Sequence, residues 1–293
     1  MKDDFEVRLG CPYQRWLRCP DDIVRLIPCG KCYVCKTKIQ NSWFVRLKQE
    51  FDSCSSAYFI TLTYANEHLK FDDTGFPIVC SRDIQLFIKR LRKSIQPFKI
   101  RYFLCSEYSP ELLRPHYHLI LFNFPKELDV YNHVNSAWKN GFIKLSSLND
   151  NRIRYVSKYC TTITDLPECL QSRTVRPFIR CSSRPAIGSC FLDKKDLMDY
   201  YQKTEDPFVM IDGYKYFMPR YYRNKIFSVE QRKFFEQESL REREEYFSEY
   251  FSRYTINPLR QFYSDLTPTP MYQKYVDFSS KVKKKNKERN KVE

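Results

Sequence analysis

Two histidines, His116 and His118, are separated by a single residue in the run Arg114-Pro115-His116-Tyr117-His118, which leads straight into an apolar stretch. Side chains two apart in a strand share a face, so both imidazoles can reach one divalent ion. The chain holds only four histidines, so finding two of them at this spacing is informative. Glu107 closes the preceding apolar run, and hairpin pairing would carry its carboxylate beside the imidazoles. Two nitrogens and one oxygen with open positions suit Mg²⁺ or Mn²⁺ and leave room for a phosphate oxygen; zinc is compatible with the set but less suited to exchange with a phosphodiester. Strand histidines and a strand-end acid can equally be structural, so the set has to be judged by what stands near it.

A second group lies in Arg154-Tyr155-Val156-Ser157-Lys158-Tyr159, a segment expected to be helical. Tyrosines at i and i+4 stand on one helical face, so either phenol can approach the same phosphate. A phenol with a pKa near 10 is a weak nucleophile at neutral pH and needs cationic help, which Lys158 or a metal-polarised phosphate would give. The competing reading is that both tyrosines simply pack.

A third group is Cys29, Cys32 and Cys35, two overlapping CxxC steps, with Cys19 or Cys11 upstream as a fourth ligand. This spacing suits a structural Zn²⁺ knuckle, and a cluster of reduced thiols is the alternative. The chain has twelve cysteines, no secretory leader in MKDDFEVRLG and no membrane-length apolar window, so a reducing cytosol and no membrane partner are expected. A net charge of +15 points to a partner carrying many phosphates.

The elements that must position these residues read as an α+β order, β-α-β-β-α-β-α. Strands are expected over 57–64, 100–107, 116–124 and just after Gly141, and helices over 42–51, 81–93 with Ser81 as cap, 126–139 and 150–161. The strands flanking Pro110 and Pro115 should pair antiparallel, giving a central antiparallel sheet flanked by helices. Four regions follow: a cysteine-rich segment and helix over 1–50, a core over 51–165, a mostly helical extension over 166–280 with a charged helix at about 228–254, and a basic tail over 281–293.

With these residues in place the chain resembles the HUH endonuclease superfamily, whose core is RRM-like, and more closely the replication initiators of gokushovirus-type microviruses. FITLTY (59–64) looks like the first family motif, RPHYHLILF (114–122) like the metal-binding one and YVSKYCTT (155–162) like the tyrosine motif. IPCGKCYVCKTK, NEHL, SRPAIGSCFLD and MPRYYRNKI extend the likeness over most of the chain. Tyr117 departs from the bulky hydrophobe expected between the histidines, although a ring turned to the opposite face would keep the packing role.

The resemblance implies His116, His118 and Glu107 as metal ligands for Mg²⁺ or Mn²⁺, and Tyr155 and Tyr159 as paired nucleophiles with Lys158 as the motif lysine. Tyr155 is slightly favoured to cut first, and Thr61, Thr63, Arg114 and Arg154 are expected at the DNA. It further implies rolling-circle initiation on a small circular single-stranded phage DNA in the cytoplasm of a bacterial host, through site-specific nicking, a 5′-phosphotyrosine link and rejoining, with host helicase and DNA polymerase as partners. An HUH transposase or relaxase shares the site but not the outer segments, and a non-catalytic single-strand-binding protein would bind without nicking.

Overall fold

The computed structural model describes residues 11, 13, 15–18, 24–109, 112–161, 176–238 and 241. The chain divides into two units, residues 1–35 with 233–293, and residues 36–232. The first contains an antiparallel hairpin of β1 (Arg15–Arg18) and β2 (Val24–Ile27). The second is built on a five-stranded antiparallel sheet of β3 (Ala57–Tyr64), β4 (Arg101–Tyr108), β5 (Pro115–Phe122), β6 (Gly141–Ser147) and β7 (Ile179–Cys181), in the spatial order β6-β3-β5-β4-β7.

β5 is the middle strand, and apart from His116 every residue in it is buried, as a strand covered on both faces requires. Against one face lies α2 (Ser81–Ser94), whose Ile84, Phe87, Ile88 and Leu91 recur at helical spacing and are all buried. Beside it α3 (Val130–Ala137) is capped by Asp129, which accepts from Asn132 N at 3.1 Å, and contributes Val134 and Ala137, with Trp138 next in the chain. These side chains meet Ile60, Leu62, Tyr64, Leu104, Tyr117, Leu119 and Leu121 in one core.

The opposite face carries α1 (Tyr33–Ser53), whose Trp43 ring lies 4.7 Å from that of Phe103, and α4 (Asp150–Tyr159), which buries Ile153 and Val156. Asn149 caps α4 by accepting from Arg152 N at 2.9 Å. Glu50 of α1 is 4% exposed and accepts hydrogen bonds from Arg101 Nε, from Arg101 Nη2 at 3.1 Å and from Gly188 N at 2.7 Å. This knot ties α1, β4 and the segment after β7 together. Glu50→Ala leaves a half-buried guanidinium and an amide without their acceptor, so a loss of about 3–5 kcal/mol is expected by chemical denaturation.

The expected α+β class and antiparallel sheet are the observed ones. Several boundaries differ. α1 starts at Tyr33 rather than 42, because β-branched Val34, Thr37 and Ile39 blur the amphipathic pattern of a turn that is nonetheless helical. The third helix is Val130–Ala137, since Asp129 caps it, rather than 126–139. Ser81 is not the cap of α2: Cys80 holds that position with no side-chain bond, and Ser81 Oγ accepts from Arg180 Nε at 3.1 Å. Past the tyrosine motif the chain adds β7 to the sheet, then α5 (Lys195–Thr204), a hairpin of β8 (Phe208–Ile211) and β9 (Tyr214–Phe217), and α6 (Arg220–Ile226). Of the expected charged helix, residues 229–238 are helical, while 242–293, including the basic tail, lie outside the described residues. No helix among the described residues is long and apolar enough to cross a membrane.

Candidate active site

Register places the ligands. Across the sheet, Glu107 is opposite His116, which is opposite Thr63; Cys105 is opposite His118, which is opposite Thr61. Cross-strand partners share a face, so His116, His118, Glu107, Thr61 and Thr63 all stand on the side that carries α4. Tyr117, between the histidines, points the other way and is fully buried in the α2–α3 core. Its hydroxyl lies 2.9 Å from that of Tyr64 and accepts from Cys80 N at 2.7 Å; Tyr64 in turn donates to Asp83 at 2.8 Å, and Lys70 Nζ holds the other Asp83 oxygen at 2.8 Å. The expected packing role of Tyr117 is the one it has.

His118 is 7% exposed, with Nε2 3.1 Å from Glu107 Oε2 and Nδ1 3.4 Å from Thr61 Oγ1. Two adjacent ligands of an octahedral ion with bonds of about 2.1 Å stand about 3.0 Å apart, so the His118–Glu107 pair has the bite such an ion needs. His116 Nδ1 lies 2.8 Å from Arg114 O, where it can donate; this leaves Nε2 as the lone-pair nitrogen and fixes the ring by the backbone. Burial pushes the His116 pKa down, against the pull of that carbonyl, and keeps the imidazole neutral as a ligand must be. As it stands, His116 has not closed on the other two. Among the described residues, the one cluster of three or more His, Cys, Asp or Glu side chains whose ligand atoms all lie within 4.8 Å of one another is the cysteine group. A side-chain rotation of His116 is therefore needed to complete the histidine–glutamate set.

The two tyrosines converge on the same place. The Tyr159 ring stacks on His118 at 4.6 Å between centroids, and the Tyr155 ring meets His118 edge-on at 5.7 Å. The rings lie 4.7 Å apart, and the Tyr159 hydroxyl donates to that of Tyr155. Phe59, on the same sheet face, stacks on the far side of His118 at 5.7 Å and touches Tyr155 at 6.3 Å. It completes an aromatic cradle that reading the sequence missed, although its place in FITLTY two residues before Thr61 was a usable signal. Tyr155 is the more exposed phenol, at 37%, whereas burial, then the Glu107 charge and the bond to Tyr155, push the Tyr159 pKa well up.

The remaining expected site residues divide. Thr61 and Thr63 are half-buried on the ligand face, and Lys158 is exposed on α4. Arg114 braces backbone, donating to Asn66 Oδ1 at 2.8 Å and to the Tyr64 carbonyl. Arg154 is committed to packing: its guanidinium sits 3.9 Å over the Phe44 ring and donates to the Tyr216 hydroxyl at 2.9 Å, so the phosphate contact expected of it gives way to a helix-to-hairpin strut.

In the other unit, Cys11, Cys29, Cys32 and Cys35 bring four sulfurs within 4.8 Å of one another. Cys32 and Cys11 sulfurs are 3.7 Å apart and those of Cys29 and Cys35 4.0 Å, too far for a disulfide and close to the ~3.8 Å edge of a tetrahedron with Zn–S bonds of about 2.3 Å. The donor set therefore can hold a structural metal such as zinc. Cys11 provides the fourth sulfur, and Cys19 lies outside the described residues. Burial raises all these thiols, pushing Cys32 up to about 11, yet N–H donation from Lys31 and Cys32 brings Cys29 down to about 7.

A family model for the replication-associated protein ORF2 matches residues 57–164, the stretch that contains both histidines, Glu107 and both tyrosines. The chain is 28% identical over 220 residues to replication-associated protein ORF2 of Spiroplasma virus 4, covering 68% of this chain and 67% of that protein. It is 26% identical over 220 residues to replication-associated protein VP4 of Bdellovibrio phage phiMH2K, covering 67% of this chain and 66% of that one. Against replication-associated protein ORF4 of Chlamydia phage 1 it is 25% identical over 230 residues, 68% of this chain but 53% of the relative. No solved structure matches significantly. The site thus lies inside the segment these phage proteins share, and through residues 57–164 the chain belongs to the family of replication-associated protein ORF2.

Proposed function

We propose that the protein initiates rolling-circle replication of a small circular single-stranded phage DNA by nicking and rejoining it through tyrosine, as an HUH-type nuclease. The observation that carries this reading is the packing of both phenol rings, Tyr155 and Tyr159, against His118, itself 3.1 Å from Glu107. Nucleophile and ligands occupy one patch of an open sheet face, which suits a polymer substrate.

His116, His118 and Glu107 would hold Mg²⁺ or Mn²⁺, which when bound draws charge from a non-bridging oxygen of the scissile phosphate. Tyr155 or Tyr159 gives up its proton and its oxygen attacks phosphorus; the bond from phosphorus to the 3′ oxygen breaks, and that oxygen takes up a proton. The 5′ phosphate is left joined to tyrosine and the free 3′-hydroxyl primes the host polymerase, with a host helicase opening the duplex ahead. Because one phosphodiester replaces another, the 3′-hydroxyl that reaches the linkage later can reverse the step without ATP. A second phenol one helical turn away is placed to cut the regenerated origin while the first still holds its strand. The reaction belongs to the cytoplasm of a bacterial host, where the four-sulfur cluster would keep a structural Zn²⁺.

The test is covalent. Incubated with the phage's single-stranded plus-strand origin and Mn²⁺, the protein should yield a species that survives denaturation and carries the DNA on the 5′-phosphate side of the cut. Binding without that species would leave a single-strand-binding protein instead. For the second metal, X-ray absorption should show zinc ringed by four sulfurs at about 2.3 Å; Cys11→Ser should lower the sulfur count, and Cys19→Ser should leave it unchanged.

A further inference from the structure

The rows that align the ligands continue past them to the sheet edge. Phe142 of β6 is the cross-strand partner of Thr63, and Lys144 is the partner of Thr61. Two rows therefore cross the same face, Phe142–Thr63–His116–Glu107 and Lys144–Thr61–His118–Cys105. Both outer residues are exposed, Phe142 to 68%. A lone exposed apolar residue is ordinary, but this ring sits in line with the proposed ligands, two strand spacings or about 10 Å from the His116 strand. Its neighbours Ile143 and Leu145 face the other way and pack on the α2–α3 core, which sets the direction of Phe142.

Gly141 fixes that register. A Cβ there would lie 2.3 Å from Thr63 O and 2.3 Å from Ala65 N, so only glycine lets β6 start this close to β3, and Ala65 N donates to Asn140 O at 2.9 Å alongside it. The edge strand is thus held so that an aromatic ring and an ammonium group, two residues apart, project from one face toward the same solvent.

We propose that Phe142 and Lys144 form a nucleotide subsite of the DNA track, Phe142 stacking on a base adjoining the scissile phosphate and Lys144 holding a neighbouring backbone phosphate. This rests on the nicking reading above. An aromatic face accepts any base, and a chain of net charge +15 draws single-stranded DNA to it. The strand lies across the sheet from β6 toward β5, with its base anchored at the edge and its reactive phosphate over the histidines.

Short single-stranded oligonucleotides carrying 2-aminopurine at successive positions, titrated into the full-length protein without added Mn²⁺, test this apart from cleavage. One position should change its emission on binding. Phe142→Ala and Phe142→Leu should each abolish that signal and weaken binding about tenfold, whereas Phe142→Trp should retain both. Lys144→Gln should lower the slope of log K against log salt by about 0.7. Thermal melting checks that the variants fold. Unchanged affinity and emission in Phe142→Ala overturn the subsite, as does a loss in that variant of self-association by sedimentation with DNA affinity intact, which would make β6 an interface between copies. A wild-type protein that shows the emission change yet never nicks origin DNA with Mn²⁺ sinks the nicking reading and leaves the stacking subsite standing.

Discussion

The Tyr155→Phe, Tyr159→Phe double variant is expected to form no covalent adduct with origin DNA while binding it as tightly as the native protein. The change removes two hydroxyls and nothing else. The ring contacts to His118 and Phe59 persist, and the hydrogen bond the phenols share disappears with both its partners, so neither is stranded by loss of the other. Single variants should divide the labour. With either phenol present, a first cut and an adduct remain available, but the hand-over that releases a closed circle does not, so labelled nicked DNA should accumulate without unit-length circles. Tyr155→Phe should slow the first cut more than Tyr159→Phe, because Tyr155 is the more exposed and Tyr159 is held protonated by burial and by the Glu107 charge. An adduct that persists in the double variant would remove tyrosine from the mechanism altogether.

The second large effect is expected from His118→Ala. This imidazole is the hub of the site: Glu107 lies at one ring nitrogen, Thr61 at the other, and Tyr159 and Phe59 on its two faces. Its loss removes one nitrogen from the ligand set and a stacking partner from the nucleophile helix. Polarisation of the phosphate is worth several kcal/mol, so cleavage should fall by about a thousandfold or more. Affinity for single-stranded DNA should change little, since it comes from many lysines and arginines spread over the chain. Anisotropy measured beside nicking rates separates the two. Parallel loss of binding and cleavage would make His118 a structural residue.

Much of this arrangement could be read from the chain because long apolar runs and period-two spacing dictate it. β3 falls at 57–64 as expected, β4 and β5 pair as the prolines between them suggest, and the one-residue gap between the histidines does place both on one face. Other features depend on tertiary partners that no local pattern records. β7 is three residues long, too short for a period, and exists because β4 offers it an edge. Arg154 looks like a phosphate ligand until Phe44 and Tyr216, both distant in sequence, are found around it. Cys11 could be singled out over Cys19 only by the hairpin and turn that bring it to Cys29 and Cys32. Phe59 belongs to the site through the sheet register, which assigns it to the ligand face two residues from Thr61.

β5 does two jobs on its two sides. Facing one way it presents the imidazoles; facing the other, Tyr117 is moored through Tyr64, Asp83 and Lys70 to the loop and first turn of α2. The pitch between the imidazoles is thereby set from behind, by groups that no DNA strand can touch. Drift in those hidden residues among related phages would retune ion affinity without altering any residue at the cutting face, much as moving a peg changes the pitch of a string.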